Sequence, residues 1–190
     1  MEKLTIGFAL CGSFCTFEKA VTEMKKLKKS GAKIVPIMSF TAFSTDTRFG
    51  KSSYFINTIE EICENKIIAT IADAEPIGPK KLLDIIVVEP CTGNTLAKLA
   101  NGITDTPVTL AVKAHLRNDR PVVIAVSTND ALSGSAKNIG KLMNYRNIYF
   151  VPMQQDDCIN KPRSVVADFS KTEETIKLAL EGKQIEPIIF

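Results

Sequence analysis

Apolar residues fall along this chain in short blocks separated by polar segments, and the spacing within the blocks changes from continuous runs to three- and four-residue steps and back. Residues 4–10, LTIGFAL, form a strand-like apolar run. After the loop Cys11-Gly12-Ser13-Phe14-Cys15-Thr16, the positions Phe17, Ala20, Val21, Met24 and Leu27 recur at helical steps up to Gly31. The pattern then predicts a strand over 32–38, a Ser- and Thr-rich loop over 39–53, a helix over 54–65 and a short edge element over 67–71. A strand reached from residue 81 culminates in Ile85, Ile86, Val87 and Val88, a β-branched run suited to burial on both faces, and Pro90 is expected to end it. Cys91-Thr92-Gly93-Asn94-Thr95 is small and polar, and a helix carrying Leu96, Leu99, Ala100 and Ile103 on one face follows.

Thr106-Pro107 supplies a cap and a first-turn proline for a helix reaching about residue 118. Residues 121–126 form an apolar strand, Ser127-Thr128-Asn129-Asp130 a polar loop, 135–144 a helix and 147–151 a last strand. The segment 152–168 is polar and aperiodic and reads as a flexible flap. Ser170-x-x-Glu173 is a capping-box pattern opening a final helix to residue 181.

Alternation of this kind predicts one α/β domain over residues 1–190, a doubly wound and mostly parallel sheet with helices on both faces, three-layer and Rossmann-like. Ligands of such sheets bind outside the carboxyl ends of the strands. Four segments are expected there: Gly12-Ser13, Ser39-Phe40-Thr41, Thr92 to Thr95, and Ser127 to Asp130. All are small and polar, which suits a phosphate held by backbone N–H groups at helix starts. The same residues also suit plain helix capping by Thr92 or Asn94. Gly12-Ser13 lacks the spacing of a dinucleotide site, and no nucleoside-triphosphate loop is present, so a mononucleotide such as FMN fits best.

Charge and cysteine content narrow the partners. The net charge is +3, with 24 Lys and Arg scattered among 21 Asp and Glu, so the basic stripe that nucleic acid requires is missing. The densest basic run, at 25–29, closes a helix where cations complement the dipole. Five cysteines without a C-x-x-C pair predict neither a disulfide framework nor a zinc site. With no signal or membrane-spanning segment in the sequence, a cytoplasmic protein is expected.

The segments LCGSFCT at 10–16, TRFG at 47–50, EPIGPK at 75–80, PCTGNTLAKLANGITDTPV from Pro90 and STNDAL at 127–132 resemble the flavoprotein family of homo-oligomeric, FMN-binding decarboxylases and flavin prenyltransferases. The resemblance covers essentially the whole chain. It implies FMN phosphate near Gly12, Ser13, Ser39 and Thr41, with Thr92, Gly93, Asn94 and Thr95 closing over the flavin or its interface neighbour. It also implies a homo-oligomer built on trimeric contacts. Three departures stand against decarboxylation. The family's P-A-M-N segment reads Val126-Ser127-Thr128-Asn129, keeping only the Asn. Its catalytic histidine has no counterpart, since the lone His115 falls in the helix after Pro107. Cys158, in the place of the reactive flap cysteine, lacks the flanking glycine.

Within the family the resemblance is close to a branch that implies oxidation of a dihydrodipicolinate-type precursor to dipicolinate in the mother cell of endospore-forming bacteria. That branch works with a second, larger chain, its A subunit, so NAD(P) is expected on that partner and not on this chain. A small dicarboxylate substrate asks for paired donors. Arg48 can hold a carboxylate through two parallel hydrogen bonds, Asn129 can donate without adding charge, and Asp130 is a candidate general base. The blander readings are an Arg48 ion pair with Asp46 and an ordinary turn at Asn129 and Asp130. Two other functions remain open: a self-sufficient FMN-dependent decarboxylase, and a non-catalytic scaffold that has lost its flavin.

Overall fold

The structure, a computed structural model, describes residue 1 and residues 4–190. In chain order its elements are β1 (Thr5–Leu10), α1 (Phe17–Lys29), β2 (Lys33–Met38), α2 (Phe40–Ser44), α3 (Ser52–Cys63), α4 (Ile71–Ala74), β3 (Ile85–Cys91), α5 (Gly93–Ala100), α6 (Pro107–Leu116), β4 (Val122–Thr128), α7 (Ala136–Met143), β5 (Ile148–Phe150), β6 (Met153–Gln154), β7 (Val165–Ala167) and α8 (Thr172–Leu180). The apolar runs became the central strands. β1, β3 and β4 are buried along nearly their whole length, as a parallel sheet covered on both faces demands. α1 and α8 pack on one face of the sheet and α5, α6 and α7 on the other.

The parallel part has the strand order β2-β1-β3-β4-β5. β5 pairs only with Val122 to Ile124, so the far end of that β4 edge is open to another strand. β7 takes it, running antiparallel with Val166 opposite Ser127 and Val165 opposite Thr128, and β6 extends the pairing outward. The segment read as a flexible flap therefore enters and leaves as sheet, and it does so beside the carboxyl end of β4. Strands of two and three residues carry no readable period, which is why the sequence showed only polarity there.

Other differences have local causes. β3 does not stop at Pro90 but continues to Cys91, because its ladder with β4 shifts register between Val88 and Cys91 and asks no N–H of the proline. The Pro90 carbonyl instead accepts from Cys11 N at 3.2 Å. α5 ends at Ala100, leaving Ile103 half-exposed beyond it rather than on its apolar face. The expected capping box at Ser170 is not formed. Asp168 accepts from Ser170 N, and Ser170 lies in a 3-10 turn that leads into α8. The Thr106 box is formed, with Thr109 as its reciprocal partner. Residues 67–71 contribute a single bridge, Ile37 to Ile68.

Candidate active site at the carboxyl edge of the sheet

In a 2-1-3-4-5 sheet the strand order reverses between β1 and β3, and the crevice outside their carboxyl ends is where ligands bind. A cavity of about 570 Å³ lies there, within the usual size range of small-molecule sites. Gly12 to Thr16 after β1, Thr92 after β3, and Ser127 to Asn129 at the end of β4 line it, with Arg48 and Phe49 from the loop after α2 and Asp156, Lys161 and Val166 from the β6–β7 segment.

The β1 loop is fixed to β4 by hydroxyls. Ser13 Oγ lies 2.8 Å from Ser127 Oγ, and Thr16 Oγ1 reaches both the Ser13 carbonyl at 3.0 Å and Ser127 Oγ at 3.1 Å. At Gly12 an added Cβ would lie 3.3 Å from Thr41 Cγ2 and 3.5 Å from the Phe14 ring, so this backbone is closely approached on its protein side. Ser39 is nearly buried and caps α2, accepting from Ala42 N at 3.3 Å. Thr41 thus supports Gly12, while Ser39 is turned to its own helix.

The β3 junction has turned its side chains inward. Thr92 lines the cavity, yet its Oγ1 accepts from Thr95 N at 3.3 Å as the α5 cap. Thr95 is buried and its hydroxyl donates to Cys11 Sγ. Cys11 is itself pushed up to about 11, because burial opposes the thiolate more than the Thr95 and Thr92 hydrogen bonds favour it. Asn94 is exposed and lies outside the cavity lining. Gly93 is packed against the β4–α7 turn: an added Cβ would lie 2.6 Å from Ser135 Oγ, 2.7 Å from Asp130 Oδ1 and 2.8 Å from Thr128 Oγ1.

Asn129 and Asp130, adjacent in sequence, part company here. Asn129 lines the cavity, and its Oδ1 accepts from Ser164 at 3.3 Å. Asp130 does not line it. Its Oδ1 accepts from Thr128 at 2.6 Å and Ser135 at 2.9 Å, and its carbonyl from Ser133 and Ser135 N–H groups, so the carboxylate organises the turn. Arg48 faces the cavity with its guanidinium 4.8 Å from the Phe49 ring centre, a cation–π distance. It does not pair with Asp46, which accepts instead from the Ser52 N–H and hydroxyl.

Sequence reasoning missed Lys19, Asp156 and Lys161, which also line the cavity. Lys161 Nζ lies 3.2 Å from Asp156 Oδ2 and is pushed up by that bond. Burial works against the Asp156 carboxylate, but hydrogen bonds from Ser164 and Lys161 outweigh it and hold the group below its usual value. His115 is buried in α6 away from the cavity and is held down to about 4, first by burial and then by Arg120. Cys158 is exposed and outside the cavity lining. Among the described residues no His, Cys, Asp and Glu cluster could hold a metal ion, and no helix is long and apolar enough to cross a membrane.

A three-layer α/β sheet of order 2-1-3-4-5 with a polar crevice at its β1/β3 switch point places the chain in the class of doubly wound α/β proteins whose ligand sites lie at that crevice. The flavoprotein family model matches residues 1–177, and the chain belongs to the flavoprotein family. It is 45% identical over 184 residues to the B subunit of dipicolinate synthase from Bacillus subtilis strain 168, covering 97% of this chain and 92% of that protein. The crystal structure of the dipicolinate synthase B subunit from Bacillus halodurans C superposes with a TM-score of 0.91 at 45% identity, covering 100% of this chain and 97% of that one. The FMN-dependent cysteine decarboxylase SpaF shares the fold at a TM-score of 0.67 and 21% identity, covering 94% and 96%.

Proposed function

We propose that this chain is the B subunit of a dipicolinate synthase, taking part with the larger A subunit in oxidation of a dihydrodipicolinate-type precursor to dipicolinate. The observation that carries the reading is the convergence of Arg48, Asn129 and the Gly12-Ser13 loop on one cavity, in a chain 45% identical to a dipicolinate synthase B subunit over nearly its full length. The residues fit a flavin mononucleotide. Hydroxyls and backbone around Ser13, Thr16 and Ser127 suit the phosphate, and Phe14 and Phe49 offer apolar faces for a planar ring. A bound flavin would supply two-electron redox chemistry.

The protein's part is binding and orientation. Arg48 holds one substrate carboxylate through paired hydrogen bonds, and Asn129, its oxygen already engaged by Ser164, offers its amide N–H groups to the ring or to a carboxylate. Asp130 acts by setting the turn that presents Asn129. Aromatisation removes two electrons and two protons from the ring. One hydrogen would leave as a hydride, to a flavin or to the nicotinamide that the larger partner binds, and the other as a proton; with no carboxylate of this chain unpaired at the cavity among the described residues, that proton would go to water or to the partner. A homo-oligomer and a mother-cell location complete the proposal.

The inward-turned Asp130 favours one second reading, a non-catalytic assembly chain that supports the larger partner. Reconstitution separates the two: both chains of the synthase, the dihydro precursor and each nicotinamide are mixed, with this chain as parent or Asn129→Ala. The proposal expects the variant to bind its partner and lose roughly tenfold to hundredfold in catalytic efficiency, as for a lost hydrogen bond to a charged group. Full activity from Asn129→Ala removes Asn129 from the site, whereas loss that merely follows failed assembly supports the scaffold.

A further inference from the structure

The cavity carries three cations and one carboxylate: Lys19, Arg48, Lys161 and Asp156. Lys161 and Asp156 neutralise each other at 3.2 Å. Among the described residues no carboxylate lies within ion-pair distance of Arg48 or of the exposed Lys19, so these two cations line the cavity without a direct salt-bridge partner. Lys19 also stands where local rules oppose it. It occupies the third position of α1, at the positive end of the helix dipole, where a cation is unfavourable. Its natural partner one turn on, Glu23, is bonded at 2.7 Å to Lys26. A residue that violates local preference without a protein partner is expected where function requires it. Lys19 also lines an adjoining cavity of about 500 Å³, which Arg48 does not reach and which Glu23, Asp156 and Asp168 line as well, none of them within ion-pair distance of Lys19.

Resting on the function proposed above, we infer that Lys19 is the second cation of a two-point clamp and binds the substrate carboxylate that Arg48 does not. Two cations without salt-bridge partners match a doubly charged ligand, and anchors from two different elements, α1 and the loop after α2, would fix the plane of a ring bearing a carboxylate on either side of its nitrogen. A monocarboxylate would satisfy only one of them, so Lys19 sets specificity for dicarboxylates. The dianionic group it meets could instead be the flavin phosphate, and affinities for the two ligands distinguish these sources.

The test is calorimetric titration of the intact oligomer with dipicolinate, with picolinate, which lacks one carboxylate, and separately with FMN. The parent should prefer dipicolinate over picolinate. Lys19→Met should weaken dipicolinate by about tenfold or more, erase most of that preference and leave FMN affinity within about twofold, whereas Lys19→Arg should restore most of the dipicolinate affinity. Melting temperature should hold or rise, since a cation is removed from a helix N-terminus. A Lys19→Met protein that keeps the parent's preference overturns the assignment while leaving the proposed function standing. Weakened FMN with an unchanged dipicolinate preference overturns it in favour of a phosphate contact. A parent that binds neither pyridine overturns the function and the clamp together.

Discussion

Two strand-to-helix junctions in this molecule read alike as sequence and behave differently as structure. Cys11 to Thr16 after β1 and Cys91 to Thr95 after β3 are both short, small and rich in hydroxyls. At the first, the loop as a whole walls the cavity, and its hydroxyls brace it against Ser127 on a neighbouring strand. At the second, Thr92 caps α5, Thr95 bonds to Cys11 beneath it, and Gly93 is closed off by Ser135, Asp130 and Thr128. The difference comes from what surrounds each loop. α7 and its preceding turn pack over the β3 junction and use its small residues for close approach, whereas the β1 loop looks into the crevice where the strand order reverses. Small polar residues at a strand end thus serve ligand or fold according to their neighbours.

If that division is right, substitutions at the two glycines should separate stability from binding. Gly93→Val gives the largest effect. A side chain there would enter space held by three polar atoms at 2.6–2.8 Å, and overpacking of this sort costs about 1–3 kcal/mol. Urea denaturation should show the loss. Gly12→Val should instead act on ligand: a branched side chain obstructs approach to the loop backbone and lowers FMN affinity by about tenfold, or ~1.4 kcal/mol. The contact at 3.3 Å with Thr41 requires only a small adjustment, so circular dichroism should report an intact fold. Next comes Thr92→Ala, which removes a helix cap and should lower stability by ~1 kcal/mol, read as a shifted denaturation midpoint.

The smallest effect extends the comparison along β3. Glu89, just before Pro90, is wholly buried; Thr172 donates to its Oε2 at 2.5 Å, and its Oε1 has no partner among the described residues. Burial raises its pKa well above the usual value, against the Thr172 bond, which favours the ionised form. Because the folded form holds its proton more tightly than the unfolded chain, the stability this provides is complete below the ordinary carboxyl pKa and is lost as pH rises toward the folded value. Glu89→Gln should therefore gain stability relative to the parent across the window from the ordinary carboxyl pKa up to the raised folded value. His115 is present in both proteins, so its own titration cancels in the comparison. Melting temperatures of both proteins across the window check this, and parallel curves would rule out a buried neutral carboxyl.

Much of the fold was legible because continuous burial and helical stripes leave local marks. The β-branched run at 85–88, the stripe from Phe17 to Leu27 and the Thr106-Pro107 start all form as their chemistry dictates. What escaped notice is short or non-local. α2 has five residues, too few to show a period, and β7 exists only because Val165 and Val166 meet Thr128 and Ser127, nearly forty positions away. At the site, Gly12, Ser13, Arg48, Thr92 and Asn129 do converge on the cavity. Asn94 and Thr95 do not line it, nor does Asp130, since helix starts and turns use the same side chains as ligand loops. Lys19, Asp156 and Lys161 were invisible because a lone charge on a helix or loop carries no sign of which wall it will face.

Equilibrium titration of FMN, followed by flavin fluorescence, into the parent, Gly12→Val and Thr95→Val tests the central claim most directly, because it sets the cavity-facing junction against the inward-turned one. The account predicts that the parent binds, that Gly12→Val loses about tenfold, and that Thr95→Val, whose hydroxyl meets only protein, keeps its affinity within about twofold. A parent that takes up no FMN, or a Thr95→Val protein that loses affinity while Gly12→Val keeps it, would contradict the account.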